Sequence, residues 1–361
     1  MTQDVSPLAG DGTSVCASKL EPIYVPRIWG TRRLSPLFPD PPGAGEPIGE
    51  VWLTGEACRF ATGPFAGRIL GEVWRDLPAA WTGTQMRGRP RIPLLVKFIF
   101  SEEYLSVQVH PDDAYAAQNE RAQGGAGKTE MWYVVAARAG AEVRAGLRPR
   151  VTRDSLERAI RDGAADQSLV PLPVREGDAV FVPAGTAHTI GPGLVLCEIE
   201  EHSDLTYRVY DYNRLGPDGK PRTLHIEKAL EVMRFGSQIG GRLTPLPLAS
   251  KAGERSLLVA CPHFAVERWR FFSRRSAQTS RERFELLIVI QGKGKLGAQG
   301  AAGEYAPGEA WFLPAALGEY EITPSASTTI LRAYAPNVAA LQRDLATRGV
   351  SRAALAGAVF P

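Results

Sequence analysis

The chain has 361 residues, more than an ordinary domain of about 150, so we expect two domains or one domain with a large insertion. Hydrophobic residues make up 44% and charged residues 22%, a composition that excludes a disordered chain. The net charge of +3 gives no reason to expect nucleic acid or an anionic membrane as a partner.

The sequence also bears on the compartment of the protein. Its longest strongly apolar stretch, residues 92–100, is interrupted by Lys97 and is far shorter than the about 20 residues of a membrane span. No basic residue precedes Lys19, so the charged-then-apolar order of a secretory signal is missing. The cysteines lie far apart with no CxxC pair, at Cys16, Cys58, Cys197 and Cys261. We predict reduced thiols in a cytoplasmic protein.

Taken in chain order, the elements begin after an N-terminal extension over residues 1–19, which we predict to be mobile. Strands are predicted where apolar residues run together or alternate, at residues 94–100, 105–110, 131–136, 179–182, 194–200 and 205–212. Three helices are predicted between them, at residues 112–121, 151–160 and 224–233. These elements make up a first domain over residues 20–236.

The second domain, residues 237–361, begins with a link over 237–253, followed by strands and a C-terminal helix. The strands are predicted at 264–272, 284–290 and 310–313 and the helix at 337–348. Residues 175–184 and 306–315 repeat one pattern, in which a Gly-acidic turn leads into a four-residue apolar strand ended by proline. The repeat predicts a mainly β fold of two tandem β-barrels of related design.

One motif in the first domain points to a metal. Gly177, Pro183, Gly185 and His188 follow the pattern G-x5-P-x-G-x2-H, which resembles the second conserved motif of the cupin superfamily, whose barrels bind a metal in the mouth. The glycine and proline turns aim His188 into the barrel.

Three earlier side chains complete the predicted metal site. Gln108 and His110 lie two apart on one strand, so both point to the same face, and Glu130 follows as a carboxylate. With His188, this mixed nitrogen and oxygen set suits Zn²⁺, with Fe²⁺, Mn²⁺ or Co²⁺ as alternatives. In the C-terminal repeat Glu319 stands where His188 stands in the first, so we predict that the second barrel binds no metal.

Four ordered segments carry a more specific resemblance, residues 105–113, 127–134, 183–191 and 203–212. They resemble the signatures of type I mannose-6-phosphate isomerases in their short bacterial form, over about residues 29–331. The resemblance implies zinc-dependent interconversion of mannose 6-phosphate and fructose 6-phosphate, with one zinc per chain. It also implies that Gln108, His110, Glu130 and His188 are the zinc ligands and that Arg208 is an active-site arginine.

The sequence departs from the family pattern near its start. It has Trp29-Gly30-Thr31 where such proteins usually read W-G-G, and Gly49-Glu50-Val51-Trp52 where they read G-E-[SC]-W. Residues 54–64 lack a histidine that is often found there. These positions lie outside the predicted metal ligands, so they affect the expected shape of the rim more than the chemistry.

Two cations are candidates for substrate binding and catalysis. Arg208 lies on a strand where Thr206 and Tyr210 share its face, and it can stabilise an enediolate or bind phosphate. Lys128 precedes Glu130 by two residues, so both point to the metal, and its amine can bind substrate or, with a lowered pKa, carry a proton.

Other residues leave alternatives open. Lys97 in its apolar strand has either an ion-pair or a substrate role. The general base is not decided by the sequence, with Lys128, Glu201 and a metal-bound water as candidates. The remaining histidines are predicted to be structural, at His202, His225 and His263. The arginines interleaved with aromatics over residues 268–283 are predicted to be a solvated rim rather than a nucleic-acid site.

We expect an enzyme that acts on a sugar phosphate, as a monomer or weak homo-oligomer with no nucleic acid or membrane partner. Two other classes of function stay open. A cupin dioxygenase would use Fe²⁺ and usually a site richer in histidine, and a non-catalytic sugar-phosphate-binding module would bind without turnover.

Overall fold

The computed structural model describes residues 14–39, 45–216, 218–236 and 240–361. Within them the chain is mainly β, with 23 strands and seven α-helices. The first thirteen strands are β1 (Ser18–Leu20), β2 (Ile23–Thr31), β3 (Ile48–Trp52), β4 (Leu94–Ser101), β5 (Val107–Val109), β6 (Glu130–Ala137), β7 (Glu142–Leu147), β8 (Leu169–Pro173), β9 (Ala179–Val182), β10 (His188–Ile190), β11 (Leu194–Glu201), β12 (Tyr207–Tyr210) and β13 (Gly241–Arg242).

The remaining strands all lie in the C-terminal third of the chain. They are β14 (Leu246–Leu248), β15 (Glu254–Ala260), β16 (Ala265–Phe271), β17 (Arg275–Gln278), β18 (Glu285–Gln291), β19 (Gly294–Ala298), β20 (Ala301–Tyr305), β21 (Ala310–Leu313), β22 (Glu319–Pro324) and β23 (Thr328–Tyr334). The helices are α1 (Leu70–Trp74), α2 (Ala79–Thr82), α3 (Asp113–Asn119), α4 (Arg153–Arg161), α5 (Ile226–Val232), α6 (Val338–Thr347) and α7 (Arg352–Ala356).

The strands form four antiparallel sheets, in pairs of one large and one small sheet. The N-terminal half contributes a seven-stranded sheet, ordered β13-β9-β6-β11-β4-β3-β2, and a five-stranded sheet, ordered β12-β5-β10-β7-β8. The C-terminal half contributes a seven-stranded sheet, ordered β1-β21-β18-β23-β16-β15-β14, and a four-stranded sheet, ordered β17-β22-β19-β20. The halves therefore share one strand order, with β12 as an addition in the first. Closure of each pair into a barrel stays a prediction.

Two strands cross between the halves, so the boundaries differ from the expected ones. Ser18–Leu20 pairs with β21 of the C-terminal half, and Lys19 Nζ lies 2.6 Å from Glu309 Oε1, so residues 18 and 19 do not belong to a mobile extension. Residues 1–13 of that extension lie outside the described residues. Gly241–Arg242 pairs with β9, so the expected link over residues 237–253 contains strands of both large sheets.

Period-two alternation along the central strands supplies two cores at once. In β11, Cys197 and Ile199 face the other half and join a core shared by both seven-stranded sheets. Leu196 of the same strand faces the five-stranded sheet, together with Trp132 and Val180. Successive side chains of a strand point to opposite faces, so one buried strand serves both layers. The four sheets consequently stack as layers, with the large sheets in the middle.

Helices α4 and α5 cover the outer face of the five-stranded sheet. Leu156 of α4 and Leu230 of α5 pack with Val107 and Val109 of β5 in one buried cluster. Thr152 caps α4, because its side chain accepts a hydrogen bond from the N–H of Ser155. Burial of the outward side chains fixes the direction of the inward residues of β5. No helix of the described residues is long and apolar enough to span a membrane.

Candidate metal centre and active site

Three of the predicted metal ligands meet between the two N-terminal sheets. His110 directly follows β5, Glu130 begins β6 and His188 begins β10. The turn before His188 depends on Gly185, which has φ of 82° and donates its N–H to the carbonyl of His110 at 2.8 Å. A Cβ at Gly185 would lie 2.9 Å from the carbonyl oxygen of Val232, so the turn requires glycine.

The geometry of these three side chains fits one metal ion. Glu130 Oε1 lies 3.3 Å from His188 Nε2, and Glu130 Oε2 lies 3.6 Å from His110 Nε2. Two ligand atoms at about 2.1 Å from a tetrahedral zinc are roughly 3.4 Å apart. The exposed fractions of His110, Glu130 and His188 are 2%, 0% and 1%, so all three donor side chains are buried.

Hydrogen bonds to the backbone fix both imidazole rings. His110 Nδ1 and His188 Nδ1 each lie 2.8 Å from a carbonyl oxygen, that of Leu205 and that of Thr186. An N–H at Nδ1 leaves the lone pair of Nε2 directed at Glu130. Burial lowers the pKa of His188 to about 4 and that of His110 well below its ordinary value, so both rings are neutral, as ligands must be.

Two orphaned atoms support the same interpretation. His110 Nε2 and Glu130 Oε1 are shielded from solvent and have no hydrogen-bond partner. Buried polar atoms are almost always satisfied, so these atoms fit the donors of a metal site.

Gln108 lies beside this trio, with its amide turned the other way. Its Nε2 is 3.2 Å from His188 Nε2, and its Oε1 is 3.2 Å from the hydroxyl of Ser106. Ligation through Oε1 would require the amide to rotate by half a turn. The Gln108 side chain therefore lies at the position of the predicted fourth ligand, but its amide nitrogen and not its oxygen faces His188.

A cluster of two lysines and two glutamates adjoins the metal donors. Lys128 Nζ lies 3.0 Å from Glu130 Oε2 and 2.6 Å from Glu200 Oε2. Lys97 Nζ lies 2.9 Å from Glu200 Oε1, so Glu200 bridges the two ammonium groups. Glu198 Oε2 lies 3.9 Å from each lysine. Lys97 has the predicted ion-pair role and also lines the cavity described below.

The charge state of Lys128 differs from the predicted one. Burial lowers its pKa, but the carboxylates of Glu130, Glu198 and Glu200 outweigh burial and hold the pKa well above its ordinary value. The suggestion of a lowered pKa at Lys128 was wrong, because the sequence reading did not include two of these three carboxylates. The side chain is a fixed ammonium at neutral pH.

Glu198 and Glu200 were missed by sequence reasoning. The signal was present in β11, where Cys197 and Ile199 alternate with the two glutamates. Both glutamates are buried, and alternation directs them to the face opposite to Cys197 and Ile199, where the metal donors lie. Two acids at spacing two inside a buried strand predict a polar site on that face.

Arg208 lies on the strand next to the metal donors. Its backbone pairs with Gln108, and Gln108 pairs in turn with His188, so the three residues stand side by side across neighbouring strands. Arg208 Nη1 donates to the carbonyl of Thr223 at 3.0 Å. Among the residues that the structure describes, no carboxylate forms an ion pair with Arg208. Burial lowers its pKa, as do the cations around it.

The prediction that Thr206, Arg208 and Tyr210 share one face is only partly correct. Thr206 and Arg208 line the cavity, whereas Tyr210 packs into the outer core under α4 and α5. The register shifts between Arg208 and Tyr210, and this bulge reverses the alternation after Arg208.

Glu201 does not lie where a general base is needed. Its Oε1 accepts the N–H of Thr129 at 2.7 Å, and its Oε2 lies 3.0 Å from Nδ1 of His263 in the other half. The side chain alternates away from the cavity, so it is removed from the candidates. His263 is an interdomain ion-pair partner, which agrees with its predicted structural role.

The other two histidines differ from each other. His225 accepts the backbone N–H of Arg208 through Nδ1 at 3.2 Å and lines the cavity, so its structural role places it in the wall of the site. His202 donates its backbone N–H to the carbonyl of Pro93, and burial lowers its side-chain pKa to about 4.

A cavity of about 590 Å³ lies between the two N-terminal sheets. Its wall is formed by side chains of both N-terminal sheets, among them Gln108, Lys97, Lys128, Glu198, Arg208, Arg222, Arg27, Glu50 and Trp29. Trp29 and Glu50, which belong to the segments where the sequence departs from the family pattern, also line the cavity. A volume of this size accommodates a small polar metabolite.

A buried donor set of two imidazoles and a carboxylate, below a polar cavity in a mainly β fold, defines a metal-dependent enzyme of the cupin type. Comparison with known proteins supports this class. The family described as "Mannose-6-phosphate isomerase, cupin domain" matches residues 254–334.

Relatives extend the match over most of the chain. "Probable mannose-6-phosphate isomerase GmuF" of Bacillus subtilis (strain 168) is 36% identical over 313 residues, which cover 84% of this chain and 95% of that protein. "Mannose-6-phosphate isomerase" of Streptococcus mutans is 34% identical over 275 residues, which cover 75% of this chain and 83% of that protein. The crystal structure of the mannose 6-phosphate isomerase from Bacillus subtilis superposes with a TM-score of 0.79 at 30% identity, over 88% of this chain and 99% of that one. The chain belongs to the mannose-6-phosphate isomerase family.

Proposed function

We propose that this protein interconverts mannose 6-phosphate and fructose 6-phosphate through a cis-enediol, in the cavity next to His110, Glu130 and His188. The observation that carries the proposal is this buried donor trio, together with a neighbouring cavity that is lined by Gln108, Lys97, Lys128 and Arg208. Family membership gives the reaction, and the chemistry of these side chains suits it.

The residues that would hold the metal are His110, Glu130 and His188, with Gln108 after rotation of its amide. We propose one Zn²⁺ per chain, because two imidazoles and a carboxylate suit zinc, with Fe²⁺, Mn²⁺ or Co²⁺ as alternatives. The bound ion supplies Lewis-acid polarisation of the oxygens on C1 and C2.

We propose that the carboxylate of Glu198 carries out the proton transfers. Isomerisation removes the proton on C2 and returns one to C1 through the enediol. Glu198 is the carboxylate of the cluster that lines the cavity, and its Oε1 is oriented by the indole N–H of Trp132 at 3.0 Å. Burial raises the pKa of Glu198, but Lys128 and Lys97 outweigh it and lower the pKa to about 2, so the side chain is ionised at neutral pH and is a weak base.

The two remaining cations stabilise charge. We assign to Lys128, a fixed ammonium beside Glu130, the binding of a substrate hydroxyl near the metal. Arg208 lies on the strand next to Gln108 and pairs with no carboxylate of the described residues, so we assign to it the stabilisation of the negative charge that develops on the enediolate. Preorganised cations that need no rearrangement favour the transition state over the ground state.

The decisive experiment is a coupled isomerase assay on mannose 6-phosphate, with metal analysis of the same sample. We expect turnover that disappears on chelation and returns with zinc. Substrate oxidation and oxygen uptake with Fe²⁺, without isomerisation, would instead establish the dioxygenase. Tight sugar-phosphate binding by metal-loaded protein without turnover would establish the binding module. The cytoplasmic location and the monomeric or weakly oligomeric state stay predictions.

A further inference from the structure

We propose that the cavity has a separate subsite for a phosphomonoester, formed by Arg222 and Arg27 beside Arg208. The inference rests on the proposed function, because it names where the phosphate of the sugar substrate binds. All three arginines line the cavity that Gln108 and Lys128 also line. Sequence analysis predicted a possible phosphate role for Arg208 and none for Arg222 or Arg27.

Arg222 is held in place by a buried carboxylate. Its Nε donates to Asp211 Oδ2 at 2.7 Å, and its Nη2 donates to Asp211 Oδ1. Arg214 Nη2 shares the same Oδ1 at 2.6 Å. The carboxylate of Asp211 therefore binds two guanidinium groups, and the three side chains together keep a net positive charge. A fork that is already oriented loses little entropy when it binds an anion.

Arg222 and Arg208 lie next to each other. The Arg208 guanidinium donates to the carbonyl of Thr223, which directly follows Arg222. The backbone of His225 donates to the carbonyl of Arg208 at 2.7 Å, so residues 222–225 run alongside β12. Arg222 is the foremost of the cations that lower the pKa of Arg208. Cations brought together in a partly buried place attract an anion, and Arg222 is the one of the two that has no role in the proposed proton transfer.

Arg27 supplies the opposite wall. Its Nε and Nη2 bind Glu50 at 3.1 and 2.9 Å, and its Nη1 makes only a long hydrogen bond of 3.4 Å to the carbonyl of Pro26. It is also among the cations that lower the pKa of Arg208. The three arginines come from β2, β12 and the segment after β12, so three parts of the chain converge on one place.

Charge at the other end of the cavity sets the orientation. At that end Lys128 is paired with Glu130 and Glu200, and Lys97 is paired with Glu200, so both ammonium charges are already balanced by carboxylates. The arginine end attracts a phosphate dianion, and guanidinium forks match phosphate oxygens. A sugar phosphate consequently enters with C1 and C2 toward the metal donors and its phosphate toward Arg222.

Arg214 offers a matched control for the test. It shares Asp211 with Arg222 but does not line the cavity, since its Nη1 donates to the carbonyl of Tyr104 at 2.6 Å. We expect Arg222→Ala to raise KM for mannose 6-phosphate about 10-fold or more, the loss of one charged hydrogen-bonding partner, with kcat changed less than about 3-fold. Arg222→Lys should recover part of the loss. Arg214→Ala should change KM less than about 3-fold.

Binding of inorganic phosphate to the metal-loaded protein, measured by calorimetry, tests the subsite without turnover. Its Kd should rise about 10-fold in Arg222→Ala and stay near the wild-type value in Arg214→Ala, with metal content and melting temperature as checks of folding. An unchanged Kd and KM in Arg222→Ala, or equal rises in both variants, would overturn the subsite. Wild-type protein that binds phosphate through Arg222 but does not isomerise mannose 6-phosphate would contradict the proposed function and not the subsite.

Discussion

The two halves of the molecule share one strand order and differ in what fills the space between their sheets. The N-terminal half encloses a cavity of about 590 Å³, and the corresponding space in the C-terminal half is about 10 Å³. The small space is closed by apolar and aromatic side chains, including Leu287, Leu296, Tyr305, Trp311 and Ile322. A common scaffold thus keeps a site open in one half and a packed core in the other.

The same strand positions carry ion pairs in both halves, with the charges exchanged. In the first half Lys97 on β4 pairs in register with Glu198 on β11. In the second half Glu267 on β16 pairs in register with Arg332 on β23, the strands in the corresponding places. The first pair faces the cavity, and the second is closed in by Trp269, whose N–H donates to Glu267 at 2.8 Å. Equivalent positions thus line a cavity in one half and are buried in the core of the other.

The two halves differ at the position of the metal donor His188. His188 is paired in register with Gln108, and Glu319 is paired in register with Gln278 at the corresponding place. Glu319 is exposed, and its neighbour Tyr320 points into the core instead. The predicted loss of the histidine in the second half is therefore accompanied by a change of the inward-facing residue.

The largest expected effect is loss of the metal donors. His188→Ala or Glu130→Ala should remove both the bound metal and turnover, because each deletes one donor that no neighbouring group can replace. Metal analysis and the coupled assay on the same preparation check this. Stoichiometric metal with a near-normal rate in either variant would show that the metal lies elsewhere.

Arg208 should matter for the rate and not for the metal. Arg208→Ala should keep one metal per chain while kcat falls on the order of 10²-fold, comparable to the loss of one preorganised charge stabiliser. Arg208→Lys should recover only part of the rate, because an ammonium lacks the planar fork. A large rise in KM with unchanged kcat would restrict Arg208 to phosphate binding.

In the C-terminal half the corresponding charge should support folding alone. Glu267→Gln should lower the free energy of unfolding by about 3–5 kcal/mol, the usual cost of breaking a buried pair, and leave the metal content unchanged. Asp344→Asn, which breaks an exposed pair with Arg348, should cost about 0.5 kcal/mol or less. Denaturant unfolding of both variants measures the difference. Equal losses would show that the buried network adds nothing.

The pH dependence of that stability follows from the pKa of Glu267. Burial raises this pKa, but Arg332 and Arg255 outweigh burial and lower it to about 2. A carboxyl whose folded pKa lies below its unfolded value stabilises the fold above the unfolded pKa and loses the contribution as pH falls toward the folded one. The difference in stability between the wild type and Glu267→Gln should therefore shrink between about pH 4.5 and pH 2. A difference that is constant over this range would contradict the ion pair.

The smallest expected effect concerns the C-terminal half, which should bind no zinc. After His110→Ala, equilibrium dialysis should detect no tightly bound zinc, because the C-terminal half has Glu319 on its surface and Tyr320 inside. A second tight equivalent that survives in this variant would mean that the packed half also binds metal.

Much of the fold and the metal donors could be predicted because they depend on local patterns. The spacing of Gly185 and His188 and the i, i+2 pair Gln108 and His110 place side chains on one face without knowledge of the tertiary structure. The lysine and glutamate cluster depends instead on which strands become neighbours. The alternation in β11 directs Glu200 to the polar face, but its contacts with Lys97 and Lys128 follow only from the sheet order. The bulge before Tyr210 is likewise set by pairing and not by alternation.

The central claim is that one metal ion, in the N-terminal half alone, supports turnover. Chelated protein titrated with zinc, with turnover of mannose 6-phosphate recorded at each addition, tests it most directly. The rate should rise in proportion to zinc and stop rising at one equivalent per chain. Full turnover in the chelated protein, or a break at two equivalents, would contradict the claim.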